Sequence, residues 1–453
     1  MYWRNQGDLI CPPLAFYPMV TIQLPIYTEA NVVERHIDSI CSLDWPTDKM
    51  HIQILDDSTD HTSAIVSRKI EHWRQRGRLI DHRQREDRSG FKAGALREAL
   101  PEAKGEYIAI FDADFVPPIS FLKETIPHLI EGKLGMVQSR WIHLNRNDNL
   151  LTRLSAILLD GHFMIEHTAR NRSNRFFNFN GTAGVWRKST IIDAGGWQHD
   201  TVTEDLDISY RAQLKGWDFL YLPSLCSPAE IPSDLSAFKI QQYRWAKGSI
   251  QTAKKLLFKI LKAPIPIHTK IEAFFHLSAN ISHPLTLLLL ILMPYTWFWR
   301  TEEGSMGFWL ELMVFVASSL SIGFFYLLSQ KESQPTRWTG EIRHIPLVLA
   351  LGIGMSINQS KAFFAGLWGK DQTFVRTPKK GETNLTPYRA PGSIFSFLEI
   401  AMGLYCCVST AYLLWVGAWQ ALPFLCLFAW GFSYVGIMSL SIPTSEGAKD
   451  FAD

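Results

Sequence analysis

"EYIAIFDADFVPP", residues 106–118, is an apolar run that stops at two aspartates, Asp112 and Asp114. It reads as a strand ending in acids. "MVTIQLPIY" (19–27) and "HIQILDDSTD" (51–60) read the same way, the second closing on Asp56 and Asp57. Between and after them, "EANVVERHIDSICSL" (29–43) and "HTSAIVSRKIEHWRQRG" (61–77) carry the pattern of amphipathic helices. Strand, helix, strand in this order predicts a mostly parallel sheet with right-handed crossovers. Ligands of such sheets bind outside the carboxyl ends of the strands. Two of these three strands deliver paired acids there, so a polar site is expected at that edge.

Composition places limits on the rest of the chain. At 453 residues it exceeds one small core, and a net charge of +2 argues against a nucleic-acid binder working through bulk charge. The hydrophobic share of 47% is ordinary, but its distribution is uneven. Stretches 273–299, 312–330 and 400–445 contain no Asp, Glu, Lys or Arg, and roughly 20 apolar residues span a bilayer. No such run, and no signal peptide, occurs before residue 265, so a soluble half precedes a membrane half. The six cysteines show no metal-binding spacing, and those of the soluble half fit a reducing compartment.

Three further stretches carry chemistry. Asp112 and Asp114, two carboxylates at i and i+2 on a strand-to-loop transition, suit a hard divalent cation that in turn binds a diphosphate. "QREDRSGFKAGAL" (84–96) adds Arg85, Arg88 and Lys92 around two glycines, which suits phosphate neutralisation beside a helix start. "TVTEDLDISYRAQLKGW" (201–217) concentrates Thr203, Glu204, Asp205 and Asp207. Thr203 fits a helix N-cap with the acids in the first turn, and a catalytic carboxylate fits equally.

In order, Tyr27 with Glu29, "DDSTD", "GFKAGAL", "DAD", "TED" and "QQYRW" (241–245) resemble the motifs of membrane-bound family-2 glycosyltransferases, the group of the cellulose, mannan and hyaluronan synthases. "FNFNGTAGVWR", "AGGW" and "FVRTPK" look most like plant mannan and glucomannan synthases and their bacterial relatives. The resemblance spans about residues 20 to 440. It implies an α/β nucleotide-diphospho-sugar transferase domain (GT-A type) followed by an α-helical membrane domain. The activity implied is inverting, metal-dependent transfer of a hexose from GDP-mannose or UDP-glucose to a growing β-linked polysaccharide, processive and coupled to translocation. The alternative is transfer of one sugar to a lipid acceptor, a glycolipid or polyprenyl phosphate.

Residue by residue, the resemblance makes Asp205 the catalytic base. It places Tyr27, Glu29, Asp57, Lys92, Asp112 and Arg244 around the donor nucleotide, and Asp112 with Asp114 on Mg²⁺ or Mn²⁺. Trp245, Gln241, Glu204, Asn180 and Gly181 fall on the acceptor side. Phe374, Thr377 and Lys379 fall in a gating-type loop, residues 369–390.

The domain boundaries expected are a segment 1–18, a transferase domain 19–235, an interfacial region 236–265, a membrane domain 266–445 and a tail 446–453. Four spans are expected, near 273–299, 308–330, 394–418 and 421–441. Segment 345–368 has basic residues on both sides and reads as interfacial or re-entrant. Residues 1–18 are too short and mixed for the further span such enzymes usually carry ahead of the soluble domain. The partners implied are a nucleotide sugar, a glycan or lipid acceptor and membrane lipid, with room for accessory export proteins or a homo-oligomer and no nucleic acid. The location implied is a bacterial-type inner or plasma membrane with the catalytic domain cytoplasmic.

Overall fold

The computed structural model describes residues 1–3, 11–130, 132–300, 305–369, 395–415 and 422–440. Its amino-terminal half is built on a seven-stranded sheet. The strands are β1 (Val20–Ile26), β2 (Met50–Asp56), β3 (Leu79–Gln84), β4 (Tyr107–Ile110), β5 (Leu134–His143), β6 (Gly184–Arg187) and β7 (Asp218–Ala229). Their order is β3-β2-β1-β4-β6-β5-β7, parallel throughout except that β6 runs antiparallel to both neighbours. Every residue of β2 is buried because helices cover both faces, and its polar members are paired: Gln53 accepts from Gln23 and His51 bonds Asp81.

Helices α1 (Val33–Cys41), α2 (Thr62–Arg74), α3 (Phe91–Ala99) and α4 (Phe121–Ile130) follow β1, β2, β3 and β4. Val33 and Ile37 of α1, Val66 of α2 and Phe121 of α4 join the core of one face. Leu96 of α3 joins the other face, with Ile191 of α7 (Lys188–Asp193) and Ile208 of α8 (Glu204–Leu214). Between β5 and β6 lie α5 (Leu150–Asp160), a π-helical stretch Gly161–His167 and α6 (Thr168–Arg172). Helix α5 starts at a reciprocal cap, in which Asn149 and Thr152 each accept the other's backbone N–H.

The carboxyl-terminal half is helical. Helix α9 (Leu235–Lys262), capped by Asp234, leads into α10 (Ile267–Ser278), α11 (Ser282–Arg300) and α12 (Ser305–Ser333). After these come α13 (Trp338–Glu341), α14 (Ile345–Gly354), α15 (Ser356–Trp368), α16 (Phe395–Trp415) and α17 (Leu422–Leu440). Among the described residues three segments are long and apolar enough to cross a membrane: Ile267–Met293, Phe395–Trp415 and Leu422–Leu440. They mark a membrane protein, and Leu289, Val408 and Ile437 face outward from them. The expected span 308–330 falls within α12. Trp338–Gly354 and Ser356–Trp368 form a helix pair bent by 45°, the shape of a broken span or a re-entrant loop.

The two halves share a core. Leu151 and Leu154 of α5 and Phe238 of α9 pack with Val348 and Leu351 of α14 and Val435 of α17. Arg146 ties Asp160, at the end of α5, to Gln330 of α12. A close approach near the sheet edge joins the start of α8 to α9: a Cβ on Gly248 would lie 2.3 Å from Cγ2 and 2.4 Å from Oγ1 of Thr203. Only hydrogen fits there, so Gly248→Ala should push the 203–205 segment off α9. The expected result is a loss of about 1–3 kcal/mol of stability, read as a lower melting temperature, together with reduced turnover.

Candidate active site

The parallel strands β1, β2 and β4 end at one edge of the sheet, where they release Tyr27 to Glu29, Asp57, and Asp112 to Asp114. Antiparallel β6 begins at that edge, so the loop leading into it carries Asn180 and Gly181 to the same place. Helix α8 contributes Glu204 and Asp205, and α9 contributes Gln241, Arg244 and Trp245. Tyr27, Glu29, Asp57, Asp112, Asp114, Asn180, Gly181, Glu204, Asp205, Gln241, Arg244 and Trp245, with Lys92 from α3, line one cavity of about 160 Å³. Every described residue assigned to the site from sequence is therefore brought together. Phe374, Thr377 and Lys379 lie outside the described residues.

Backbone strain concentrates here. Thr28 (φ 51°), Phe91 (φ 49°) and Ala183 (φ 54°) adopt the left-handed region, at about 1–3 kcal/mol each when imposed on non-glycine residues. Thr28 is held by its N–H, which donates to Ser58 Oγ at 2.9 Å.

Charges face one another across the cavity. Lys92 Nζ donates to Asp112 Oδ1 at 2.5 Å and to the Gly181 carbonyl at 2.9 Å. Burial pulls the Lys92 ammonium down, but Asp112, Glu204 and Asp205 outweigh it and leave it above its ordinary value. Burial lowers Arg244 despite the same acids. Asp205, half-buried between the cavity and the protein, has the opposite fate. Desolvation and neighbouring Glu204 push its carboxyl up to about 7, against the pull of the Leu206 N–H, Lys92 and Arg244.

The basic loop differs from its expected role. Arg85 does not face an open phosphate position. It grips Asp57 through Nε at 2.9 Å and Nη2 at 2.5 Å and donates to the carbonyls of Ser89 and Phe91. A guanidinium matches a carboxylate in two places at once, so Arg85 braces the loop around α3. Arg88 lies over the Tyr27 ring at 3.2 Å. Asp56 turns inward: burial would raise its carboxyl, but His82 and Ser58 hold it at about 2. Thr203 stands at the N-cap of α8, yet its hydroxyl makes no capping bond. The first turn is stabilised instead by Asp207, buried and paired with Arg211 at 2.7 Å and Lys255 at 2.8 Å.

Trp141, His143 and Glu230 also line the cavity and were missed from sequence. Glu230 follows β7, donates its N–H to Asp114 Oδ2 at 3.2 Å and pairs with Arg35 at 2.7 Å. It obeys the rule that exposed Asp57, an acid at the end of a strand; β7 itself escaped recognition.

Asp112 and Asp114 fit a divalent cation. Both offer hard oxygen donors and Asp112 opens to the cavity, with the Lys92 ammonium on Oδ1 leaving Oδ2 as its free donor. Among the described residues no cluster of three His, Cys, Asp or Glu side chains could hold an ion alone. The remaining ligands would come from phosphate and water, as Mg²⁺ and Mn²⁺ tolerate.

A second cavity of about 660 Å³ opens behind the first, between α6, the π-helical stretch, α9, α10 and α12. Asn180, Thr203, Asp205 and Trp245 line both. Residues of its wall carry buried polar atoms that have no hydrogen-bond partner among the described residues: Ser155 Oγ, Asn178 Oδ1, Thr203 Oγ1, Arg170 Nη1, Glu272 Oε2 and Gln359 Oε1. A polar atom buried without a partner is costly.

Residues 107–326 match the family described as glycosyl transferase family group 2, and residues 21–191 that described as glycosyl transferase family 2. Over 427 residues the chain is 34% identical to glucomannan 4-beta-mannosyltransferase 9 of Arabidopsis thaliana, covering 89% of this chain and 76% of that protein. The chain belongs to the family-2 glycosyltransferases. This glycosyltransferase is also 40% identical over 292 residues to glucomannan 4-beta-mannosyltransferase 1 of Oryza sativa subsp. japonica, covering 62% of this chain and 56% of that protein. Its fold is similar to that of a mannosyltransferase from Pyrobaculum calidifontis solved with GDP-Man and Mn²⁺ (TM-score 0.56, 20% identity, 82% of this chain and 92% of that one).

The raised Asp205 carboxyl has two measurable consequences. If it accepts a proton, kcat/KM should rise with pH through about 7, because only the carboxylate is a base. The folded chain binds the Asp205 proton more tightly than the unfolded chain. That stabilisation is complete below the ordinary carboxylate range and is lost as pH rises through about 7. Asp205→Asn should therefore lower turnover by roughly 10²–10⁴-fold, while its melting temperature at pH 8 stays at or above that of the unsubstituted protein. A variant that melts lower and still turns over near-normally would identify Asp205 as structural.

Proposed function

We propose that this glycosyltransferase moves a hexose from GDP-mannose or UDP-glucose onto the end of a β-linked glycan, with inversion at the anomeric carbon. The strongest support is the meeting of the two cavities at Asp205. The first is charged and suits a nucleotide diphosphate; the second mixes aromatic side chains such as Phe163, Phe238, Phe275 and Tyr326 with polar ones such as Glu166, Asn180 and Gln242, a lining that suits the C–H faces and hydroxyls of a sugar chain. A lipid acceptor would be served by a wholly apolar wall, so the polar side chains set among the aromatic ones favour a glycan.

In this reading Tyr27, Glu29 and Asp57 receive the nucleoside. Asp112 and Asp114 would hold a divalent cation, which supplies charge neutralisation to the departing diphosphate. Lys92 exchanges part of its contact with Asp112 for the diphosphate, and Arg244 faces it from α9. Trp245 offers the acceptor sugar an apolar platform, since one face of a sugar ring exposes mainly C–H bonds. Gln241, Glu204, Asn180 and Gly181 surround the acceptor hydroxyl. Asp205 takes its proton as the oxygen attacks, and one carboxylate suffices because the leaving group departs as a stabilised diphosphate. Gly181, with φ +82°, leaves room for this: a Cβ there would sit 3.1 Å from Asp205 Oδ2. Elongation proceeds processively, the product entering the second cavity and the membrane helices, with the sheet domain on the cytoplasmic side.

Purified protein given radiolabelled GDP-mannose or UDP-glucose is expected to place label in polymer. Label in extractable lipid instead would replace the glycan reading with the single-sugar one, and no incorporation would refute both. Excess EDTA should abolish incorporation, and Mn²⁺ or Mg²⁺ should restore it. Trp245→Ala should leave donor affinity near normal and reduce elongation by about 5–150-fold, corresponding to ~1–3 kcal/mol of lost aromatic contact.

A further inference from the structure

Helix α9 has two faces. At about 100° per residue, Gln241, Arg244, Trp245 and Gly248 all lie within roughly 60° of the direction opposite Lys239. The first three reach the cavity that contains Asp205, and Gly248 receives Thr203. Lys239 and its neighbours therefore form the back of the helix that carries half of the site.

That back is anchored to the membrane helices through charge. Lys239 Nζ donates to Glu399 Oε1 of α16 at 2.5 Å and to Ser439 Oγ of α17 at 3.0 Å. Ser439 Oγ lies 3.2 Å from Glu399 Oε2 and 2.6 Å from the Val435 carbonyl. The Glu399 side chain is 0% exposed and that of Lys239 14%. From α15, Asn358 Nδ2 donates to the Lys239 carbonyl at 3.0 Å, and the Lys361 ammonium lies 4.4 Å from the Phe395 ring centre and 5.6 Å from that of Tyr243. Helices α16 and α17 are themselves drawn together here, since a Cβ on Gly436 would meet Ile400 Cγ1 at 2.7 Å.

A buried ion pair is poor value as a source of stability, because desolvating both charges costs as much as their attraction returns. Its distinguishing property is direction: an ammonium shared between a carboxylate and a hydroxyl has few satisfactory positions, whereas apolar contacts tolerate sliding and rotation. Ionisable side chains buried among membrane helices carry the same presumption of function.

We propose that Lys239, Glu399 and Ser439 form a positioning clamp that fixes the rotation and depth of α9 against the membrane helices. The clamp thereby sets where Arg244 and Trp245 stand relative to Asp205. The membrane half is thus part of the transfer machinery as well as a passage for product. None of the three residues touches the reacting atoms; they act through α9. The inference rests on the assignment of the opposite face of α9 to sugar transfer.

The test uses the full chain purified in detergent or nanodiscs. Replacing one partner strands a buried charge, so Lys239→Met and Glu399→Gln alone could report misfolding. The informative variant is the charge-free double substitution Lys239→Met/Glu399→Leu, with Lys239→Arg as the conservative control. The double variant should melt close to the unsubstituted protein but transfer sugar at least 10-fold more slowly, because misplacing catalytic groups by about 1 Å costs on the order of 100-fold. Backbone amides of residues 239–248 should exchange hydrogen faster in it. Lys239→Arg should retain most of the rate and the slow exchange. A double variant with normal kcat and unchanged exchange would overturn the clamp, as would Lys239→Arg behaving like the double. If no nucleotide sugar is turned over even by the unsubstituted chain, the proposed function falls, while hydrogen exchange still decides the clamp.

Discussion

The site depends first on the closeness of Gly248 to Thr203. A helix presents an unbroken ring of side chains, and two helices normally stand 8–10 Å apart because of it. Removing one side chain lets the start of α8 press against α9, so that Thr203 lies where a Gly248 side chain would be. Asp205, on the first turn of α8, and Arg244 and Trp245, on the middle of α9, thereby border the same cavity. The acid comes from the sheet domain and its partners from the helix that leads to the membrane, so this contact is where the halves become one site.

Charge then differentiates the acids. Seven carboxylates border the first cavity: Glu29, Asp57, Asp112, Asp114, Glu204, Asp205 and Glu230. Among their partners are Arg85 for Asp57, Lys92 for Asp112, Arg35 for Glu230, the Glu230 N–H for Asp114, and the Leu206 N–H for Asp205. For Asp205 that one bond does not compensate for burial beside Glu204, and its carboxyl is pushed up to about 7. A carboxyl poised near neutrality exchanges protons readily, whereas a strongly paired one is only a charge.

The second cavity shows the same economy of polar groups. The π-helical stretch Gly161–His167 borders it through His162 and Glu166, and π-helical insertions often mark functional positions. Arg170 bonds Glu272 at 2.6 Å yet keeps Nη1 unpaired, and Glu272 keeps Oε2 unpaired.

Much of this was legible in the order of residues. Strands ending in Asp57 and Asp112 announce themselves because apolar runs and terminal acids are local patterns, and the chemistry of a sheet edge follows from strand direction. Uncharged stretches of membrane length are equally local, as is the ordered set of motifs that marks the family. Local pattern could not reveal that Arg85 would grip Asp57, that β7 would bring Glu230 under Asp114, or that Thr203 would stand at a helix start without capping it. Nor could it pair Lys239 with Glu399, 160 residues away. Such partnerships depend on distance and burial, which exist only once the chain is packed; the same lysine or aspartate is solvated surface or a committed ion pair according to what tertiary structure places within 3 Å of it.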